Sequence, residues 1–96
     1  MKPSGRGIQF RPNGHKGYSG FFKNGFKQGV GTVFYENGNK AYEGEFSKGL
    51  MSGNGVMYYN SGNVLARGTF KNGNLERGDI FGINGVILVK KIGKRK

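Results

Sequence analysis

Few side chains in this sequence are placed for chemistry. His15 is the only histidine and there is no cysteine. His15 sits in the turn region 12–17 with no acid near it in sequence, so neither a nucleophile–base pair nor a metal site is suggested. Glu43 and Glu45 are two residues apart, which on a strand puts both carboxylates on one face. A working acid–base pair would also need a cleft, and the pair is better read as a partner for cross-strand cations such as Arg67. Gly29-Val30-Gly31 and Gly53-Asn54-Gly55 lack the third glycine and the strand-to-helix setting of a dinucleotide fingerprint, and no phosphate-binding Lys-Ser or Lys-Thr follows a glycine loop. No catalytic residue, metal site or cofactor is therefore expected, and the chain reads as a non-enzyme.

The cations carry the functional signal. Sixteen Lys and Arg against five Asp and Glu give a net charge of +11 over 96 residues, which favours anionic partners. Arg6, Arg11, Lys16, Lys23 and Lys27, with Lys2, all precede the first acid, Glu36. Lys90, Lys91, Lys94, Arg95 and Lys96 crowd the other end, and the middle is neutral overall. Phe21, Phe26 and Tyr35 interleave with the first group and are candidates for exposed aromatic contacts. Positive charge is thus concentrated at the two ends of the chain.

The elements that must position these residues are written in a period. Tyr18-Ser19-Gly20-Phe21-Phe22, Tyr42-Glu43-Gly44-Glu45-Phe46 and Ala66-Arg67-Gly68-Thr69-Phe70 are spaced by 24 residues. The columns Gly5/Gly29/Gly53, Gly7/Gly31/Gly55, Gly14/Gly38/Gly62, Gly20/Gly44/Gly68 and Gly25/Gly49/Gly73 are glycine throughout. A period of this size means that each unit is one supersecondary element burying its apolar side against its neighbours. Within a unit the alternation is of strand type: Tyr42, Gly44 and Phe46 fall on one side, Glu43 and Glu45 on the other. Asn13-Gly14, Asn24-Gly25, Asn37-Gly38, Asn72-Gly73 and Asn84-Gly85 are pairs whose positive φ angles suit tight hairpin turns.

The sequence therefore predicts an all-β chain, an elongated twisted antiparallel meander of stacked β-hairpins with six to eight short strands. They fall near 6–11, 17–22, 29–35, 41–46, 53–59, 65–70, 77–81 and 86–90, with 47–52 and 60–63 as turns of the middle unit. Residues 1–89 form one repeat domain and residues 90–96 a basic, poorly ordered tail. The apolar run Val86-Ile87-Leu88-Val89 is far short of the ~20 residues of a membrane span. With no signal peptide and no disulfide framework, a cytoplasmic setting is expected.

Residues 42–62 resemble the MORN repeat, whose pattern runs Tyr-x-Gly-x-aromatic, Gly, Gly-x-Gly, an aromatic-rich strand and a glycine turn. Residues 18–38 match the same pattern, residues 5–14 its second half, and residues 66–73 its first half with Ala66 in place of Tyr. The resemblance implies one hairpin per repeat in an elongated sheet. It also implies binding to protein partners, self-association, or contact with anionic phospholipid headgroups. Together with the charge, three readings follow. The first is a non-catalytic module that docks onto an acidic protein surface or complex. The second is binding to nucleic acid or a ribonucleoprotein, as a small inhibitor or component of an RNA-containing complex. The third is peripheral attachment to an anionic membrane. Self-association through an edge strand is compatible with each.

Glycine inside a strand packs nothing and costs backbone entropy. Gly20, Gly31, Gly44, Gly55 and Gly68 are expected to make room for aromatics on the adjacent strand, with Phe22, Phe34, Phe46, Tyr58 and Phe70 as candidates. Gly44→Val should then lower the thermal midpoint by overpacking, at a cost of about 1–3 kcal/mol. A differential scan of the variant beside wild type checks this.

Overall fold

A computed structural model describes residues 4–92. It is one eight-stranded antiparallel sheet in which every strand pairs with its sequence neighbours. The strands are β1 (Gly5–Phe10), β2 (Lys16–Lys23), β3 (Phe26–Phe34), β4 (Lys40–Ser47), β5 (Leu50–Tyr58), β6 (Val64–Lys71), β7 (Asn74–Phe81) and β8 (Ile87–Ile92). The all-β meander expected from the period is what forms. With extents of 43 × 33 × 15 Å, the molecule is one sheet thick.

The strands are longer than the alternation alone indicated, because the turns are tighter. Residues 47–52, expected as a turn, contract to Lys48 and Gly49, with φ of 51° and 87°. Asn24-Gly25 and Asn72-Gly73 take the same left-handed pair of conformations. Lysine is a poor choice for such a φ. Its neighbours compensate: the Lys48 amide donates to Gln28 Oε1 at 3.0 Å, and the Gly49 amide to the Lys27 carbonyl at 2.9 Å.

Asn13-Gly14, Asn37-Gly38 and Asn84-Gly85 differ from expectation. Only the glycine of each pair has positive φ, and the asparagine instead uses its side chain. Asn13 Oδ1 accepts from the His15 amide at 2.9 Å, Asn37 Oδ1 from Asn39 at 2.9 Å and Asn84 Oδ1 from Val86 at 3.1 Å. These are the local side-chain turns that asparagine favours over a second left-handed residue.

The register lines up the strand glycines. Gly7 pairs with Gly20, Gly20 with Gly31, Gly31 with Gly44, Gly44 with Gly55, Gly55 with Gly68 and Gly68 with Gly78. A bare backbone row thus crosses β1 to β7. The rings laid over it are tyrosines. A Cβ on Gly31 would meet the Tyr18 ring, and one on Gly55 the Tyr42 ring, inside any tolerable contact. Each tyrosine runs along its own strand, Tyr18 Oη donating to the Phe21 carbonyl at 2.9 Å and Tyr42 Oη to the Glu45 carbonyl at 3.0 Å.

This corrects the expected set of covering aromatics. Phe46 and Phe70 pack against the tyrosines, whereas Phe34 and Tyr58 follow bulges after Val33 and Met57 and alternate onto the opposite face. Phe22 touches only the place where a Gly7 Cβ would be, at an ordinary 3.5 Å.

Phe22, Tyr18, Phe46, Tyr42 and Phe70 form an edge-to-face chain with centroid spacings of 5.0, 5.5, 5.1 and 5.2 Å. Each such pair contributes about 0.5–1.5 kcal/mol beyond area burial. With Tyr18 and Tyr42 lying on glycine and Phe46 and Phe70 packed edge-on against them, all four rings are buried to 5% exposure or less without a second layer. Val33, Met51, Met57 and Leu75 flank them. At the C-terminal end Ala66 takes the tyrosine position, and the chain of rings stops at Phe70.

Burial pushes the Tyr42 phenol up from 10.0 to about 12, with its bond to the Glu45 carbonyl opposing that rise, and raises Tyr18 in the same direction. A phenol with a higher pKa in the folded than in the unfolded chain contributes stability below pH 10, and that contribution disappears as pH climbs toward 12. Stability measured by urea titration should therefore fall between pH 10 and 12 in wild type. Tyr42→Phe should flatten part of that fall while losing about 1 kcal/mol at neutral pH.

Candidate binding surface

Alternation divides the cations of the first hairpins between the two faces. On the face opposite the ring ladder, β1 to β3 present Arg6, Ile8, Lys16, Phe21, Lys23, Phe26 and Val30. The Arg6 guanidinium lies 5.3 Å from the Phe21 ring centroid, and Lys16 Nζ lies 5.0 Å from that of Phe34. Lys27 goes to the other side, where its ammonium stands 5.4 Å from the Tyr18 centroid. A cation over a ring is held in place at little entropic cost and still offers its outer surface to an anion.

Among the described residues, Arg6, Lys16, Lys23 and Lys27 form no ion pair. Farther along, cations meet acids. Lys40 Nζ is 3.1 Å from Glu43, and that hydrogen bond with the attraction of the carboxylate raises its pKa. Arg67 stands 3.9 Å from Asp79, its cross-strand partner. The acid facing Arg67 is thus Asp79, not the Glu43 or Glu45 that sequence suggested. Glu45 turns to backbone, its Oε2 accepting from the Asn54 amide at 3.0 Å. Surface pairs of this kind stabilise by only about 0–1 kcal/mol, but they give Lys40 and Arg67 the carboxylate neighbours that Arg6 and Lys16 lack.

Two expected contact residues are committed elsewhere. Arg11 Nη2 donates to the Phe34 carbonyl at 2.6 Å, and Tyr35, half-buried rather than exposed, donates from Oη to the Tyr58 carbonyl at 2.5 Å. Tyr59 repeats the bond to the Phe81 carbonyl at 2.7 Å. Arg11, Tyr35 and Tyr59 occupy one column of the 24-residue period, so this is a staple from each unit to the next. Arg11 substitutes for tyrosine in it. Its Nε is buried without a partner.

Phe21 and Phe26 are exposed, at 41% and 54%. Phe26 also walls a hollow of about 450 Å³ with Lys23, Asn24, Gln28, Ser47 and Lys48. Sequence reasoning missed Ile8, Phe10 and Val30, which are at least half exposed. Their signal was their phase, since Ile8 and Val30 alternate with the glycines that mark the covered face. The side chains of Lys90 and Lys91, and all of Lys94, Arg95 and Lys96, lie outside the described residues. The backbone of residues 90–92 belongs to β8.

His15 is equally structural, its Nδ1–H donating to the Glu36 carbonyl of the neighbouring turn at 2.9 Å. Among the described residues no three His, Cys, Asp or Glu are grouped to hold a metal ion, and no helix is long and apolar enough to cross a membrane.

The ring ladder, the glycine row and the staples all recur with one period. Residues 18–40 and 42–64 each match the model of the MORN repeat family. This chain is a MORN-repeat protein. The matched stretches are β2 with β3 and β4 with β5, each hairpin followed by its outer turn. No curated protein matches the chain. MORN repeats are generally binding and scaffold modules, and in this MORN sheet Arg6, Lys16 and Lys23, which form no ion pair among the described residues, share one face at the N-terminal end.

The staple column makes a prediction about the MORN stack itself. Tyr35→Phe should lower stability by about 1 kcal/mol, the net value of a partly buried hydrogen bond. The loss should appear in a urea titration as a lower midpoint with unchanged slope.

Proposed function

We propose that this MORN-repeat chain is a non-catalytic binding module that docks onto an acidic protein surface through the face of β1 to β3 carrying Arg6, Lys16 and Lys23. The observation that supports this reading most directly is the contrast along one face. Lys40 and Arg67 have carboxylates beside them, while Arg6 and Lys16 lie over rings with none. Unpaired cations beside exposed Ile8, Phe21, Phe26 and Val30 have the make-up of an interface, an apolar centre with charges that steer an opposite partner. A net charge of +11 adds long-range attraction and a strong salt dependence.

Nucleic acid is the second reading, favoured by the exposure of Phe21 and Phe26 beside Arg6 and Lys23, since bases stack on such rings and phosphates neutralise such charges. One experiment separates the two. The tagged chain and an Arg6→Ser/Lys16→Ser/Lys23→Ser variant are used to recover partners from lysate with and without nuclease, with cross-links mapped by mass spectrometry. Docking on protein predicts an acidic protein that survives nuclease, cross-links to residues 6–30 and is recovered at least tenfold less by the variant. Loss of every partner on nuclease treatment supports the nucleic-acid reading instead. Recovery equal to wild type by the variant contradicts both.

A further inference from the structure

In the β2–β3 and β4–β5 hairpins the second strand receives a tyrosine from the first. Tyr18 of β2 stands opposite Val33 and its ring covers Gly31 of β3; Tyr42 of β4 stands opposite Met57 and covers Gly55 of β5. β1 is a strand of the second kind, for Gly5, Gly7 and Gln9 occupy the columns of Gly29, Gly31 and Val33. Its only partner is β2, so the edge that would receive the tyrosine-bearing strand is unpaired among the described residues. Gly7 consequently has no tyrosine across it, and among the described residues the space beside it is bounded only by Phe22, at 3.5 and 3.6 Å from a Cβ position.

Phe22 shows the same vacancy from the side. Phe46 is held between Tyr42 at 5.1 Å and Tyr18 of the preceding unit at 5.5 Å, whereas Phe22 has Tyr18 alone.

We infer that the free edge of β1 is a strand-addition site for an acidic extended segment of a partner protein, which seats an aromatic ring over Gly7 and against Phe22. This rests on the reading above that the partner is acidic, and adds the geometry by which it docks. Main-chain hydrogen bonds along β1 supply affinity, and the ring slot supplies register.

The chain contains a template for the incoming strand. In the β4–β5 hairpin, Glu45 Oε2 accepts from the Asn54 amide, and the residue two periods before Asn54 is Arg6. An acid three residues beyond the seated ring therefore reaches both the Arg6 amide and the neighbourhood of its guanidinium. A second copy of this chain fits poorly. Its exposed strand, β8, places Val89 opposite Ile80, where Ala66 stands in β6, so it brings no ring. Both ends of the chain are also cationic.

The probe is a capped peptide copying residues 41–47, Ala-Tyr-Glu-Gly-Glu-Phe-Ser, titrated into the full-length protein and followed by amide NMR shifts. Saturable shifts at residues 5–10 and Phe22 are expected. Binding should weaken at least about tenfold with Tyr42→Ala in the peptide, and as much with Gly7→Ala in the protein. Gly7→Ala should fold normally, because its methyl meets only an ordinary contact with Phe22; an unchanged thermal midpoint verifies this. Absence of saturable shifts up to about 1 mM peptide, shifts centred on β8, or undiminished binding by Gly7→Ala each overturns the inference. The last result does so even if Arg6→Glu abolishes binding, an outcome that leaves acidic docking itself intact. Undiminished binding by Arg6→Glu counts instead against the acidic partner.

Discussion

Everything in this sheet depends on a tyrosine ring lying flat across a neighbouring strand's glycine. A single-layer sheet has no opposing layer to bury its apolar side chains, and a sheet without a core does not repay the entropy of ordering its strands. Removing the Cβ at Gly31 and Gly55 lets Tyr18 and Tyr42 drop onto the backbone, Phe46 then packs edge-on between them, and Phe70 packs edge-on against Tyr42. The core is a line of rings one residue deep. Its members touch in sequence along the repeat axis, so stability is built unit by unit, as in other solenoid architectures.

The same arrangement leaves the opposite face free for recognition. Because the ladder uses one side of each strand, the residues between its members have no packing duty and can vary. In β4 and β6 they include Glu43, Glu45 and Arg67, tied to Lys40, the Asn54 amide and Asp79 respectively. In β1 to β3 they are Arg6, Ile8, Phe21, Lys23 and Val30, a mixture of unpaired charge and exposed apolar surface. The asymmetry arises from which residues fill a constant frame, with the backbone nearly the same in every unit.

The ladder also explains why the two ends of the sheet differ. Ala66 and Leu75 close it at the C-terminal side with small and aliphatic groups. At β1 it ends on Phe22, a ring with one neighbour, beside an uncovered Gly7.

Much of this was legible in the sequence. The 24-residue period, strand alternation and turn glycines determined a hairpin meander and its strand order, since backbone geometry and nearest-neighbour pairing are local matters. The charge imbalance and its concentration in Arg6, Lys16, Lys23 and Lys27 were equally plain. Tertiary structure decided which ring covers which glycine, because Tyr18 and Tyr42 reach Gly31 and Gly55 only across paired strands, while alternation after Val33 and Met57 turns Phe34 and Tyr58 to the other face. It decided that Arg11 and Tyr35 staple adjacent units rather than face a partner, a role set by carbonyls 23 residues away. It also made Lys48 a left-handed turn residue against its own preference, since the flanking strands and Gln28 hold it there. Periodicity specifies what each strand is, but what a side chain touches is set across strands, where only the assembled sheet brings the partners together.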